Sequence, residues 1–265
     1  MSDLPTSLAD DGLLVGLDGS TATVTLNRPA TRNAMTTAMW QALPGLMYLL
    51  AGDDRVKAVL LTGAGGEFCT GADVSEFPTA FADAEAARTY NDLVEAGRRA
   101  LTHQTKPTIA VVPGLAVGAG CGLSMACDLR FAAEKARFAM PPAKLGAAYP
   151  FAGVQQMVSL IGPARAKDML FSGRLVAAEE ALRIGLIDRV FPEEALLDEA
   201  RRYLDAVSAL SGNSHRISKH MVGAVLEGNE VETDALRRMF DDSFASDDFA
   251  EGYRAFLEKR KPVFP

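Results

Sequence analysis

The chain has 265 residues, 48% of them apolar, with 13 Phe and one Trp, enough apolar mass for one large buried core. A formal net charge of −7 argues against a surface built for nucleic acid or anionic lipid. No apolar run nears the roughly 20 residues that cross a bilayer, and the acidic start MSDLPTSLADDG is unlike a targeting segment, so the expectation is a cytoplasmic protein without membrane or nucleic-acid partners.

In chain order, residues 12–27 (GLLVGLDGSTATVTLN) alternate around Asp18-Gly19 and predict a hairpin. A helix follows over about 36–52, where apolar residues recur at helical spacing. KAVLLTGAGGEF (57–68) reads as a buried strand ending in a glycine turn, and 83–103 as an amphipathic helix. TIAVV (108–112) is a further buried strand. It feeds GLAVGAGCGLSMACD (114–128), a tight turn opening a buried helix. DLRFA and ARFAM, within 128–140, predict two short strands around a charged turn. Helices follow over 152–161, 163–171 and 177–184, and an all-helical stretch runs from 193 to 260. Strand, strand and helix repeat with short connections before a helical tail, which predicts an α/β core with a helical C-terminal segment and a boundary near 193–205.

The thiols and imidazoles point to little chemistry. Cys69, Cys121 and Cys127 form neither an even framework nor a CxxC pair and read as reduced, buried thiols. His103, His215 and His220 are scattered, and the last two do not share a helix face, so no metal site is expected.

The glycine-rich stretch invites three readings. A dinucleotide fingerprint fits Gly118 and Gly120 but meets Leu123 at its third position and lacks the acidic residue that binds ribose. A nucleophile elbow at GLSMA would bury Ser124 inside the helix and finds no His–acid pair. The third takes five stretches together. VTLNRPATRNAM (24–35), GGEFCTGADVSEF (65–77), PGLAVGAGCGLSMACDLRFAAEKARFAMP (113–141), LFSGRLVAAEEALRIGLIDRV (170–190) and FASDDFAEGYRAFLEKRKPVF (244–264) resemble, in order and spacing, successive landmarks of the enoyl-CoA hydratase/isomerase (crotonase) family.

That resemblance implies an α/β fold, a spiral of ββα turns, with residues 1–200 as the acyl-CoA-binding core and 201–265 as a helical trimerisation region. It also implies a homotrimer or a dimer of trimers. It implies an acyl-CoA ligand, and no cofactor beyond the CoA moiety. The thioester oxygen would rest on the backbone amides of Ala72 and Ala119, the second at a helix N-terminus. Two such donors favour an enolate-like oxyanion, and losing one costs about 3–4 kcal/mol in comparable sites. Ala119 stands where many members have Gly. CoA would be held by Arg32, Thr70, Asp73 and Val74, with Phe256 and Lys259, of the same or a neighbouring subunit, covering the adenine and its ribose phosphate.

The family's hydratases divide proton transfer between two glutamates. Here the matching positions are Gly122 and Pro142, and the station some isomerases fill with aspartate is Pro150. General acid–base groups contribute about 10²–10⁴-fold each, so standard hydration is not expected. Tyr149 offers a phenol at the expected acyl pocket, either a proton donor or an aromatic wall. Glu76 reads as part of a solvated face, Asp73 as a helix cap and Cys121 as an inert thiol. The expectation is an acyl-CoA enzyme that departs from the two-glutamate hydratases; the alternative is a non-catalytic acyl-CoA binder or carrier in lipid metabolism.

Overall fold

A computed structural model describes residues 4–264. The strands are β1 (Ser7–Leu8), β2 (Leu13–Asp18), β3 (Thr21–Leu26), β4 (Ala58–Gly63), β5 (Thr108–Val112), β6 (Leu115–Val117), β7 (Leu129–Ala133), β8 (Arg137–Ala139), β9 (Val176–Ala177) and β10 (Arg189–Phe191). The helices are α1 (Thr37–Gly52), α2 (Phe77–Ala80), α3 (Ala84–Thr102), α4 (Ala119–Ala126), α5 (Phe151–Ser172), α6 (Ala178–Ile184), α7 (Glu193–Ser208), α8 (Gly212–Leu226), α9 (Asp234–Ser243) and α10 (Asp247–Leu257). A seven-stranded sheet has the order β1-β2-β3-β4-β5-β7-β10, and a smaller sheet has the order β6-β8-β9.

The hairpin forms where the alternation places it, with Leu13 opposite Leu26 and Asp18 opposite Thr21. From β3 onward the large sheet runs parallel through β4, β5, β7 and β10. A parallel sheet needs crossovers that cover its faces, which is why its strands read as continuous apolar runs. Alternate residues serve opposite faces: Val59, Leu61, Ala110 and Val112 join a core with α1, while Ala58, Leu60, Ile109 and Val111 pack on Leu196, Ala200 and Leu204 of α7.

The ββα repeat is visible in β2-β3-α1, β5-β6-α4 and β7-β8-α5. In the last two units the first strand joins the large sheet and the second joins the small one. The chain thus steps sideways at the ends of β4, β5 and β7, and the turns made there build the site. The two helices expected over 152–161 and 163–171 are present within α5, separated by a break at Gly162 (φ 75°, ψ 164°) just before Pro163. The helical stretch after residue 193 resolves into α7 to α10, and the N-termini of α8, α9 and α10 are capped by Ser211, Thr233 and Ser246.

Candidate functional site: two glycine turns with unpaired amides

The segment after β4 is fixed from both sides. The Met35 amide donates to the Gly71 carbonyl (2.8 Å) and the Asp73 amide to the Met35 carbonyl (2.9 Å), a parallel bridge that turns the Ala72 N–H to the opposite edge. On that edge Cys69 pairs with Ala116: the Cys69 amide donates to Leu115 (2.9 Å) and the Val117 amide to Cys69 (2.9 Å). The chain then reaches Gly118, at φ 54° and ψ −116°, a conformation open to glycine and strained for any other residue. Its amide donates to the Ala139 carbonyl (2.9 Å), and α4 begins at Ala119. A Cβ on Gly120 would collide with the Cys69 carbonyl, so the first turn of α4 lies directly on the Cys69 backbone.

Ala72 and Ala119 therefore belong to two turns in contact, and neither amide donates to a protein acceptor among the described residues. The first amides of a helix have no internal partner and carry the positive end of its dipole. Together the two turns are suited to an oxygen acquiring negative charge.

Buried side chains hold this arrangement. Asn33 is fully buried; it accepts from the Arg28 amide (2.9 Å) and donates to the carbonyls of Ala64 and Glu67 (both 2.8 Å). The Glu67 carboxylate accepts from the Leu115 amide, joining the first glycine turn to the second. The sequence alone gave no reason to single out Asn33, whose two carbonyl acceptors lie 31 and 34 residues away.

At the three positions where the resemblance implies acids, Gly122 lies buried on α4, Pro142 starts a 3-10 turn ending at Leu145 and Pro150 is the N-cap of α5, and none carries a proton-transferring side chain. The nearby carboxylates are engaged elsewhere. Asp73 accepts from the Ser75 hydroxyl (2.7 Å) and amide (3.1 Å) and pairs with Arg28 (2.7 Å). Those Ser75 bonds, with the Arg28 guanidinium, hold its carboxyl below the usual range. Glu76 is not on a solvated face: half-buried, it accepts from the Thr37 amide (2.8 Å) and hydroxyl (2.7 Å), serving an open amide at the start of α1. Glu95 pairs with Arg98 (2.7 Å). Burial pushes the thiols of Cys69, Cys121 and Cys127 up to about 12, and they stay protonated and inert at neutral pH. Tyr149, just before α5, has its phenol turned toward α4.

Four of the expected CoA contacts share one rim. Arg32 is exposed in a left-handed conformation (φ 49°), its carbonyl accepting from the Thr70 amide (3.1 Å). The Thr70 and Asp73 amides are already bonded, so at these residues carbonyls and side chains are what remains to meet a ligand. Val74 is 63% exposed. Phe256, 83% exposed, is the penultimate residue of α10, and Lys259 lies in the turn just beyond that helix. A cavity of about 720 Å³ opens between the start of α1, α2 and α3, lined by Thr37, Glu76, Thr79, Asp83, Tyr90 and Leu93 among others. Its volume is in the range of small-molecule sites. No group of three metal-ligating side chains is gathered among the described residues.

Comparisons with known proteins agree with this architecture. The sequence profile of the enoyl-CoA hydratase/isomerase family matches residues 17–265. A probable enoyl-CoA hydratase of Mycobacterium bovis is 37% identical over 254 residues, 95% of this chain and 97% of the relative. A crotonyl-CoA hydratase of Syntrophomonas wolfei is 32% identical over 262 residues, 97% of this chain and 99% of the relative. The crystal structure of a putative enoyl-CoA hydratase/isomerase family protein from Hyphomonas neptunium superposes with a TM-score of 0.93 at 38% identity, covering 96% of this chain and 97% of that one. With a profile match over nearly its whole length and relatives aligned almost end to end, the chain belongs to the enoyl-CoA hydratase/isomerase (crotonase) family.

Proposed function

We propose that this protein binds an acyl-CoA thioester with its carbonyl oxygen on the amides of Ala72 and Ala119, and that it stabilises an enolate there without hydrating enoyl thioesters by the two-carboxylate route. One observation carries the reading: two amides on touching turns donate to no described acceptor, while the positions that the family's hydratases and isomerases would fill with acids are Gly122, Pro142 and Pro150. The oxyanion half of the chemistry is present and the water-activating half is missing. Hydration needs a base for water and an acid for the α-carbon, and the carboxylates of Asp73, Glu76 and Glu95 are held by Arg28, Thr37 and Arg98.

In this reading Arg32, Thr70, Asp73 and Val74 form the rim for the pantetheine and phosphates, and Phe256 and Lys259 of a neighbouring copy cover the adenine. The assembly would be a homotrimer or a dimer of trimers, which suits the half-exposed aromatic series Phe240, Phe244, Phe249 and Tyr253 along α9 and α10. No described helix is long and apolar enough to cross a membrane, and the protein would work in the cytoplasm. The CoA moiety is the one cofactor-like group the reading requires.

The bare stations also suit a second reading, a non-catalytic acyl-CoA binding or carrier protein in lipid metabolism. Calorimetry with a series of acyl-CoA esters, beside an assay panel of enoyl-, 3-enoyl- and malonyl-type esters, tests both. Micromolar binding with no hydration of crotonyl-CoA is expected. The absence of binding at every chain length overturns both readings, and ordinary hydratase turnover overturns the first. Binding without turnover on any ester selects the carrier.

A further inference from the structure

The turns that carry Ala72 and Ala119 lie beyond the C-terminal ends of β4 and β5, and a second cavity opens at the other end of the same strands. It holds about 320 Å³ between Lys57, just before β4, Lys106, just before β5, Ser208 at the end of α7, and Asn213, His215 and Arg216 in the first turns of α8. β4 has six residues, so its two ends are set roughly 20 Å apart.

The lining of this cleft carries one sign of charge. Lys57, Lys106, His215 and Arg216 contribute basic side chains and no Asp or Glu lines it, in a chain with 34 acidic against 27 basic residues. Lys106 and Arg216 are bonded to neutral acceptors. The Lys106 ammonium donates to the carbonyls of Leu50 (2.8 Å) and Asp53 (2.6 Å), and the Arg216 guanidinium to the side-chain oxygen of Asn213 (2.7 Å). Neither has a carboxylate partner among the described residues. Two carboxylates border the cleft from outside its lining, and both are engaged: Asp53 pairs with Arg55 (2.6 Å), and Asp248 accepts from the Ser211 hydroxyl and the Asn213 amide (3.3 Å). The Ser208 hydroxyl oxygen is buried with no partner among the described residues. A buried hydroxyl left unpaired is costly, and a bound molecule is one of the things that satisfies it.

We propose that this cleft is a second binding site, for the phosphoryl group of pyrophosphate or of a small phosphate ester, independent of whatever the glycine turns hold. Donors reach it from three sides: the sheet edge supplies Lys57 and Lys106, α7 supplies Ser208, and α8 supplies Asn213, His215 and Arg216. A tetrahedral oxyanion accepts from several directions at once, whereas a carboxylate accepts in one plane, and a guanidinium fork matches phosphate oxygens in pairs. The volume sits at the lower end of small-molecule sites, which suits a pyrophosphate or a sugar phosphate and not a whole CoA thioester.

Titration calorimetry of the full-length protein at low ionic strength, with inorganic pyrophosphate and with ribose 5-phosphate, tests this site. Micromolar binding of at least one probe is expected, one per chain, and the tighter of the two tells the inorganic anion from the ester. Arg216 is exposed, so Arg216→Gln should keep the melting temperature of the ligand-free protein while weakening the probe about 10–100-fold. Arg216→Lys, which keeps the charge and loses the fork, should fall between it and the wild type. Arg32→Gln, on the rim proposed for CoA, should bind the probe as the wild type does, and saturating acetyl-CoA should leave that binding unchanged. No heat with either probe overturns the site, as does equal affinity in Arg216→Gln. Displacement of the probe by acetyl-CoA, or loss of affinity in Arg32→Gln alone, assigns the anion to the CoA rim and overturns it too. A protein that binds the probe and no acyl-CoA keeps this site and loses the acyl-CoA reading.

Discussion

The two sides of the candidate site are built from different materials. The side proposed to hold the thioester oxygen is main chain, fixed by Asn33, by the Glu67–Leu115 bond and by the contact of Gly120 with Cys69. The α4–α5 side rests on one side chain and on the absence of others: the Tyr149 ring lies against Gly122 and Gly153, and prolines stand at the other two positions where the resemblance implies acids. Backbone donors tolerate almost any substitution that keeps the turns, so what the site can stabilise survives sequence change. What it can protonate or deprotonate depends on one or two residues. The comparison teaches that a family's binding chemistry and its reaction can be inherited separately.

The largest way to break the amide side is to remove a donor without disturbing the fold. Ala119 is the first residue of α4, where proline is tolerated and the N–H has no internal partner. Ala119→Pro should lower kcat on whichever thioester turns over by about 10²–10³-fold, with the far-ultraviolet dichroism unchanged. Next is the clamp. Asn33→Ala removes three hydrogen bonds at a fully buried position and strands two carbonyls, and should cost about 3 kcal/mol, read as a lower urea midpoint at constant slope.

A smaller effect concerns pH. The Asp73 carboxyl is held below its ordinary value of 3.8 by Ser75 and Arg28, so its folded pKa is lower than its unfolded one. The stability it contributes is then present above 3.8 and is lost as pH falls through the folded value. Asp73→Asn should therefore melt below the wild type at neutral pH, and the gap should narrow on acidification; a gap that widens contradicts the assignment. The smallest effect tests the rim. Phe256 is 83% exposed, so Phe256→Ala should leave stability within about 0.5 kcal/mol of wild type. If Phe256 covers adenine, CoA affinity should fall while affinity for an acyl-pantetheine lacking the nucleotide stays the same.

Much of the fold could be read from local pattern, and the reasons are physical. The hairpin declares itself by alternation around Asp18-Gly19, and the runs at 58–63 and 108–112 are apolar throughout because α1 and α7 cover opposite faces of the sheet. The short strands β6, β9 and β10 were not legible, since two or three residues carry no period and owe their state to partners such as Ala177 opposite Arg137 and Val190 opposite Ala132. Glu76 illustrates the same limit. Its surroundings read as solvated, and only folding brings it to the Thr37 amide, 39 positions away.

By itself the sequence determined the family, the order of ββα units, the two glycine turns that carry Ala72 and Ala119, and the lack of acid at Gly122, Pro142 and Pro150. These are properties of residue type and spacing along one stretch of chain. Only the tertiary structure decided that the Tyr149 hydroxyl fills the place of the missing side chain, that Gly153 on another helix makes room for it, and that each nearby carboxylate is already held by a partner. A side chain's chemistry is set by what surrounds it, and those surroundings are assembled from segments whose separation in sequence carries no mark of their meeting.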